Sequence, residues 1–278
     1  GGAAGAGDAM AAYAKQLAAV PEFFELGALF RSSKAVALTE NETEYQVTCV
    51  KHVFARHVVL QFNVTNTIDE QLLENVTVDV ATDDTDAEAL YAVAAVVPAD
   101  KLPYGEPNRT YVCLERTTAA VIACVFHCTL KFVVKEVDPH TGEPDDDGID
   151  DEYPVDVLEL VTADYVRPTY VSNFQADWEA LGDDGEHKET YALSTMPSLQ
   201  HAVNEITAYL GLQAAEGTDS VTKKKKHILY LSGVFVGNHP VLVRARMKLD
   251  ADGNGVNMEL TVRSDDHDVA QALAAAVS

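Results

Sequence analysis

Tryptophan occurs once in this chain, at Trp178, so any role for an indole ring belongs to a single position. Cysteine occurs four times, at Cys49, Cys113, Cys124 and Cys128, with no CxxC spacing, which argues against a zinc site. Cations are scarce: 20 lysines and arginines stand against 44 aspartates and glutamates, for a formal net charge of −24. That field repels DNA, RNA and anionic lipid, so nucleic acid is not a general partner. No apolar run approaches the ~20 residues of a membrane-spanning helix, and direct membrane insertion is not expected. The GxSxG, HExxH, Walker A and GxGxxG patterns are missing, and the histidines are scattered without ligand spacing. Acidic pairs sit in loops, whereas a general acid needs a shaped, desolvated site. Enzyme is therefore the weaker class, and neither a metal nor a cofactor is implied. The opening has no starting methionine, basic n-region or strongly apolar h-region. A cytosolic, reduced chain is expected, with the sequons at Asn41, Asn63, Asn75 and Asn108 unused.

What the sequence does contain is an ordinary apolar share, 47% of residues, over a length suited to two cores. Residues 8–20 are Ala-rich with little apolar bulk and read as a frayed arm, so 1–25 is set aside as linker or tag. Alternating or β-rich runs follow at 44–55, 57–65, 75–81, 89–97, 109–114 and 121–137, punctuated by Asn, Asp, Pro and Gly. Short strands at regular spacing predict an immunoglobulin-like β-sandwich over 26–137. Residues 138–153, DPHTGEPDDDGIDDEY, hold no lysine or arginine and read as an acidic linker. Residues 154–278 are mixed. Strands are expected at 155–161, 189–193, 227–235, 241–249 and 256–262. Helices are expected at 173–181, 198–210 and 269–277, making an α+β unit.

Two stretches of this second unit carry candidate function. Phe174 and Trp178 stand at i and i+4 on the 173–181 helix, capped by Asn173 and ended at Gly182. An aromatic pair at helical spacing most often packs inward with Leu181, yet tryptophan is also enriched at binding hot spots. The second stretch is the hairpin around DADGNG. If Leu249 pairs with Val256, then Val243, Ala245 and Met247 face Val262, Leu260 and Met258 on a buried side. The other side gathers Arg244, Arg246, Glu259, Thr261 and Arg263. Arg246 opposite Glu259 can be a structural ion pair, and arginines clustered in so acidic a chain can equally be functional. The loop resembles the start of a calcium-binding EF-hand, but Thr261 stands where the bidentate glutamate belongs and strands flank it.

Several runs together resemble a known family. They include FRSSK at 30–34, KHVFA at 51–55, LLENV at 72–76 and TGEPDD at 141–146. Asn173-Phe174 with Trp178, ETYALS at 189–194 and LYLSGVF at 229–235 complete the set. These are similar to the C-terminal appendage (ear) of the coatomer gamma subunit, gamma-COP, from about Leu26 onward. The resemblance implies a fold like the clathrin-adaptor ears, a sandwich followed by a platform subdomain. It also implies a non-enzymatic, cytoplasmic role on Golgi and COPI-coated vesicle membranes, in Golgi/ER transport. The family's platform tryptophan docks an Arf GTPase-activating protein, which maps to an exposed Trp178 with Arg244, Arg246 and Arg263 as neighbours. Phe174 is then the more buried anchor. Other coatomer subunits are further implied partners. Val236, where a basic residue is expected, and the lysine run at 223–226 depart from the family pattern. The competing classes are a secreted or surface immunoglobulin-like adhesion domain and a hydrolase with an unrecognised site.

Overall fold

The computed structural model describes residues 2–117, 123–215, 217–250 and 255–277. The chain divides into two compact units, Gly1–Val161 and Thr162–Ser278. The first begins with helix α1 (Gly2–Leu17) and a 3-10 turn at Pro21–Phe23. Strands β1 (Arg31–Ser32), β2 (Val36–Ala37), β3 (Tyr45–Val53), β4 (His57–Asn66) and β5 (Gln71–Ala81) follow. After the short helix α2 (Thr85–Leu90) come β6 (Tyr91–Val97), β7 (Ala99–Leu102), β8 (Asn108–Arg116) and β9 (Cys124–Glu136). Strands β10 (Ile149–Pro154) and β11 (Leu158–Leu160) complete the unit. One antiparallel sheet has the order β1-β3-β4-β8-β6 with β2 on β3, and the other β10-β9-β5-β7 with β11 on β9. The alternation along β4 and β9 explains the core. Val58, Leu60, Phe62 and Val64 are buried on one, and Phe126, Cys128, Leu130 and Phe132 on the other.

The sandwich is the expected one, but it takes in more chain at both ends. Residues 8–20 are not a frayed arm. Leu17 of α1 and Phe23 of the following turn are buried in a cluster with Phe54, Val59, Tyr111 and Cys113, on the outer face of the first sheet. Polar side chains pin α1 there. Gln16 Nε2 donates to Gln61 Oε1 at 2.6 Å and to the Tyr111 hydroxyl at 3.0 Å. Tyr13 meets the His52 ring edge-on at 4.9 Å. The acidic stretch 138–153 also differs from a linker. Its second half is β10, paired with β9 from Ile149↔Val134 to Pro154↔Thr129. An edge strand with solvated side chains has no apolar alternation to betray it, and Ile149 is 73% exposed. Residues 155–161, expected in the second unit, supply β11 to the first. The first two residues of the strand expected at 121–137 lie outside the described residues.

The second unit opens with a 3-10 turn (Thr162–Tyr165) and β12 (Val166–Pro168), then α3 (Phe174–Leu181), β13 (Glu186–Leu193) and α4 (Leu199–Leu210). Strands β14 (Gln213–Ala214), β15 (Lys226–Phe235), β16 (His239–Leu249) and β17 (Val256–Ser264) lead to α5 (His267–Ala275). Its antiparallel sheet has the order β12-β15-β16-β17-β13, with β14 on β15. The hairpin register is the expected one: Leu249↔Val256, Met247↔Met258, Ala245↔Leu260 and Val243↔Val262. Seven of these eight apolar residues are buried and Leu249 is half-buried, so a one-residue slip would drive arginines into their place. The turn itself, including the calcium-like positions at 252 and 254, lies outside the described residues. Helix α4 starts at Ser198, whose hydroxyl accepts from the His201 N–H, and stops at Gly211 in the left-handed region (φ +64°). It buries the five apolar residues its periodicity marks, Leu199, Ala202, Val203, Ile206 and Leu210.

Candidate functional site

Every side chain on the second sheet's polar face is placed by cross-strand pairing. Tyr230 of β15 stands opposite Arg244 of β16, which stands opposite Thr261 of β17. One step along, Leu242 faces Arg263, and Arg263 faces Glu186 of β13. Helix α3 lies across this face. Asn173 starts it, its side-chain oxygen accepting from the Ala176 N–H at 3.1 Å, and Gly182 ends it at φ +67°. The Phe174 and Trp178 rings stack at 5.6 Å, and Phe174 also meets Tyr230 at 4.6 Å.

Trp178 is 4% exposed, so the open indole expected from the family resemblance is not what the structure holds. The helix turns the i+4 position onto the middle of the sheet. There the guanidinium carbons of Arg244 and Arg263 lie 4.7 Å and 4.5 Å from the ring centroid. Phe174 reaches only β15 and is half-buried, reversing the expected order of the two aromatics. Arg263 is a structural clamp. Its Nε donates to Glu186 Oε2 at 2.7 Å and its Nη1 to the Trp178 carbonyl at 2.8 Å, satisfying an acceptor in the last turn of α3. Arg244 differs. It makes no ion pair among the described residues, and its buried Nε has no hydrogen-bond partner. Arg246 lies further along the same face and pairs with Glu259 at 3.0 Å. The structure thus brings Phe174, Trp178, Arg244 and Arg263 together and leaves Arg246 at the margin.

Beside α3 is an apolar depression of about 360 Å³, lined by Val171, Ala180, Leu181, Val234, Pro240 and Leu242 among others. Gly233 borders it for a steric reason. A Cβ there would sit 2.5 Å from Leu212 Cδ2 and 2.8 Å from the Arg167 carbonyl oxygen. Sequence reasoning missed Tyr230, Glu186 and this depression. Tyr230 was within reach, since strand alternation puts it opposite Arg244. Glu186 was not, because polar residues hide the start of β13.

Among the described residues no cluster of His, Cys, Asp and Glu could hold a metal ion, and no helix is long and apolar enough to cross a membrane. Burial pushes the thiols of Cys113 and Cys124 up to about 11 and that of Cys128 up to about 12. Buried thiols of that kind are poor nucleophiles at neutral pH.

A β-sandwich followed in the chain by an α+β unit is the layout of a vesicle-coat appendage. Residues 11–161 match the coatomer gamma subunit appendage platform subdomain, and residues 163–277 the coatomer subunit gamma-1 C-terminal appendage platform. Coatomer subunit gamma-2 of Danio rerio is 46% identical over 95% of this chain and 30% of its own length. For coatomer subunit gamma-1 of Homo sapiens the figures are 46%, 91% and 28%, and for human gamma-2 they are 44%, 95% and 30%. The chain belongs to the coatomer gamma subunit appendage family, a structural coat family and not an enzyme family. It spans under a third of the length of these relatives. The seam between the two matched segments, at 161–163, coincides with the boundary between the two compact units.

Proposed function

We propose that the chain is the interaction appendage of a coatomer gamma subunit, working in COPI coats on the cytoplasmic side of Golgi and vesicle membranes in Golgi/ER transport. Its second unit recruits regulatory partners, an Arf GTPase-activating protein among them, and the appendage contacts other coatomer subunits. The observation that carries the docking site is Arg244. It is a cation without an ion pair among the described residues, stacked on a buried tryptophan two residues along β16 from Leu242, which lines the apolar depression, in a chain of net charge −24. Carboxylates are plentiful, so a half-buried arginine left without one is available to a partner's acceptor. Trp178 acts from beneath the surface. It fixes α3 and holds Arg244 in place, while Phe174, Arg244, Arg246 and the depression supply the contact.

The test is capture of a purified Arf GTPase-activating protein by the immobilised chain. Ala180 is exposed on α3 and lines the depression, so Ala180→Glu puts a charge there without touching the core. Capture by the wild-type chain and its loss in Ala180→Glu is the expected result. A folded wild-type chain that captures nothing, or a variant that captures equally, overturns the assignment.

A further inference from the structure

Strand β6 ends the first sheet, and its composition is unusual for an edge. It reads YAVAAVV, with no charged residue and no proline. Exposed edges are normally blunted by lysine, proline or extreme shortness, because unpaired N–H and C=O groups recruit other strands. One protective device is present, a bulge between Val93 and Ala95 in the pairing with β8. Its effect here is to aim side chains. Val93 pairs with Leu114 and Val96 with Val112, so the bulge places two valines three apart on the same side of the sheet. That side faces the sandwich interior, where Leu114 and Val112 are 2% and 1% exposed. Val93 and Val96 are nevertheless 55% and 44% exposed, since the sheet stops at β6. Among the described residues, no strand pairs with the outer side of Ala92–Val97. One more strand would cover both valines.

The charges around the edge select the occupant. Helix α2 joins directly to the start of β6 and carries Asp86 and Glu88, with Asp84 at its N-cap. Asp100 stands on β7 just past the far end. Basic side chains nearby already face carboxylates: Lys101 lies 3.6 Å from Glu74, Arg56 3.1 Å from Glu115, and His127 3.1 Å from Asp83. A second copy of this chain would bring the same acids to the same edge and be repelled. We propose that the outer edge of β6 is a strand-addition site for an extended protein segment with alternating β-branched residues and lysine or arginine at its ends. The backbone supplies pairing, Val93 and Val96 supply apolar contact, and the acids on α2 and β7 set partner and register. This site lies wholly in the first unit and does not depend on the docking role given to the second.

The probe is a synthetic peptide of alternating valine and threonine with two lysines at each end. The control carries the same charges with prolines in place of the valines. Amide chemical shifts and hydrogen exchange are followed in the intact chain. The valine peptide is expected to protect amides within 92–97 and to bind at least tenfold more tightly than the proline control. Val93→Lys with Val96→Lys should weaken it at least tenfold, and Asp86→Lys with Glu88→Lys should do the same while flattening the salt dependence. All four positions are exposed, so the folded spectrum should persist. Equal binding of the two peptides reduces the effect to net charge and overturns strand addition. Protection elsewhere, or no binding, overturns the site, and dimerisation through β6 overturns the choice of occupant.

Discussion

At the residue scale the two rings that matter most are both buried and both polar-edged. Trp178 is held by the Phe174 ring and by the two guanidinium groups of Arg244 and Arg263. Trp178→Ser should therefore cost about 3–5 kcal/mol in the denaturation of the second unit, as large-to-small core changes do. A loss well under ~1 kcal/mol, typical of surface sites, would place the indole outside the core. Because the chain has one tryptophan, its emission reports this position directly: it should be blue-shifted and resist an ionic quencher in the folded state. His52 is the other case. Its ring contacts Ser32 Oγ at 2.8 Å and Gln61 Oε1 at 3.1 Å, and burial lowers its pKa to about 4, a shift the Gln61 bond partly opposes. Well above pH 6.5 the imidazole is neutral folded or unfolded, and contributes no pH dependence. Below 6.5 only the unfolded chain takes up the proton, so stability falls until pH approaches 4 and the folded state titrates too. The loss from this group should reach about 1 kcal/mol at pH 5.5. Denaturant midpoints between pH 7.5 and 5, compared with His52→Gln, measure it. An identical slope in the variant removes His52 as the cause.

At the scale of elements, legibility followed periodicity. Helix α4 and the β16–β17 register could be read from sequence because each has one apolar and one polar face, and only one phase buries the apolar one. Two elements carried no such signal, and in a third it was ambiguous. Helix α1 packs mainly through Leu17 and side-chain hydrogen bonds, which composition does not rank. Strand β10 is solvated along almost its whole length. Helix α3 has the periodicity of a core helix, but it lies on the sheet's arginine face, so its aromatic pair could be read either way. Proteolysis separates an acidic linker from an edge strand. Early cuts should fall in the turn-rich loop at 138–148 and spare 149–154, which is hydrogen-bonded to β9. Cleavage spread evenly over 138–153 would remove β10 from the sandwich in solution. Removing the side-chain pin with Gln16→Ala should raise exchange in α1 by about fivefold if its two hydrogen bonds are worth roughly 1 kcal/mol together, while β4 stays protected.

At the scale of the whole molecule, the charge balance sets what the chain can meet. A net charge of −24 keeps the appendage off anionic surfaces in general, so attraction of an acidic or acceptor-rich segment must come from local cations. Arg246 and Arg263, both on the arginine face, divide in role once their partners are known. Arg263 is tied to Glu186 and α3, so its reversal should unfold the second unit's surface layer, whereas Arg246, half exposed, can be reversed safely. Arg246→Glu should lower partner affinity modestly and reduce its salt dependence, with an unchanged melting temperature. Equal salt slopes for variant and wild type confine Arg246 to its pair with Glu259. The central claim is that the partner docks where Arg244 stands over the buried Trp178. Calorimetric titration of a purified Arf GTPase-activating protein into the wild-type chain and Arg244→Ala, beside the melting temperature of each, tests it most directly. The account predicts a loss of about 2 kcal/mol in binding for a variant that still folds. A folded Arg244→Ala chain that binds with wild-type affinity contradicts it.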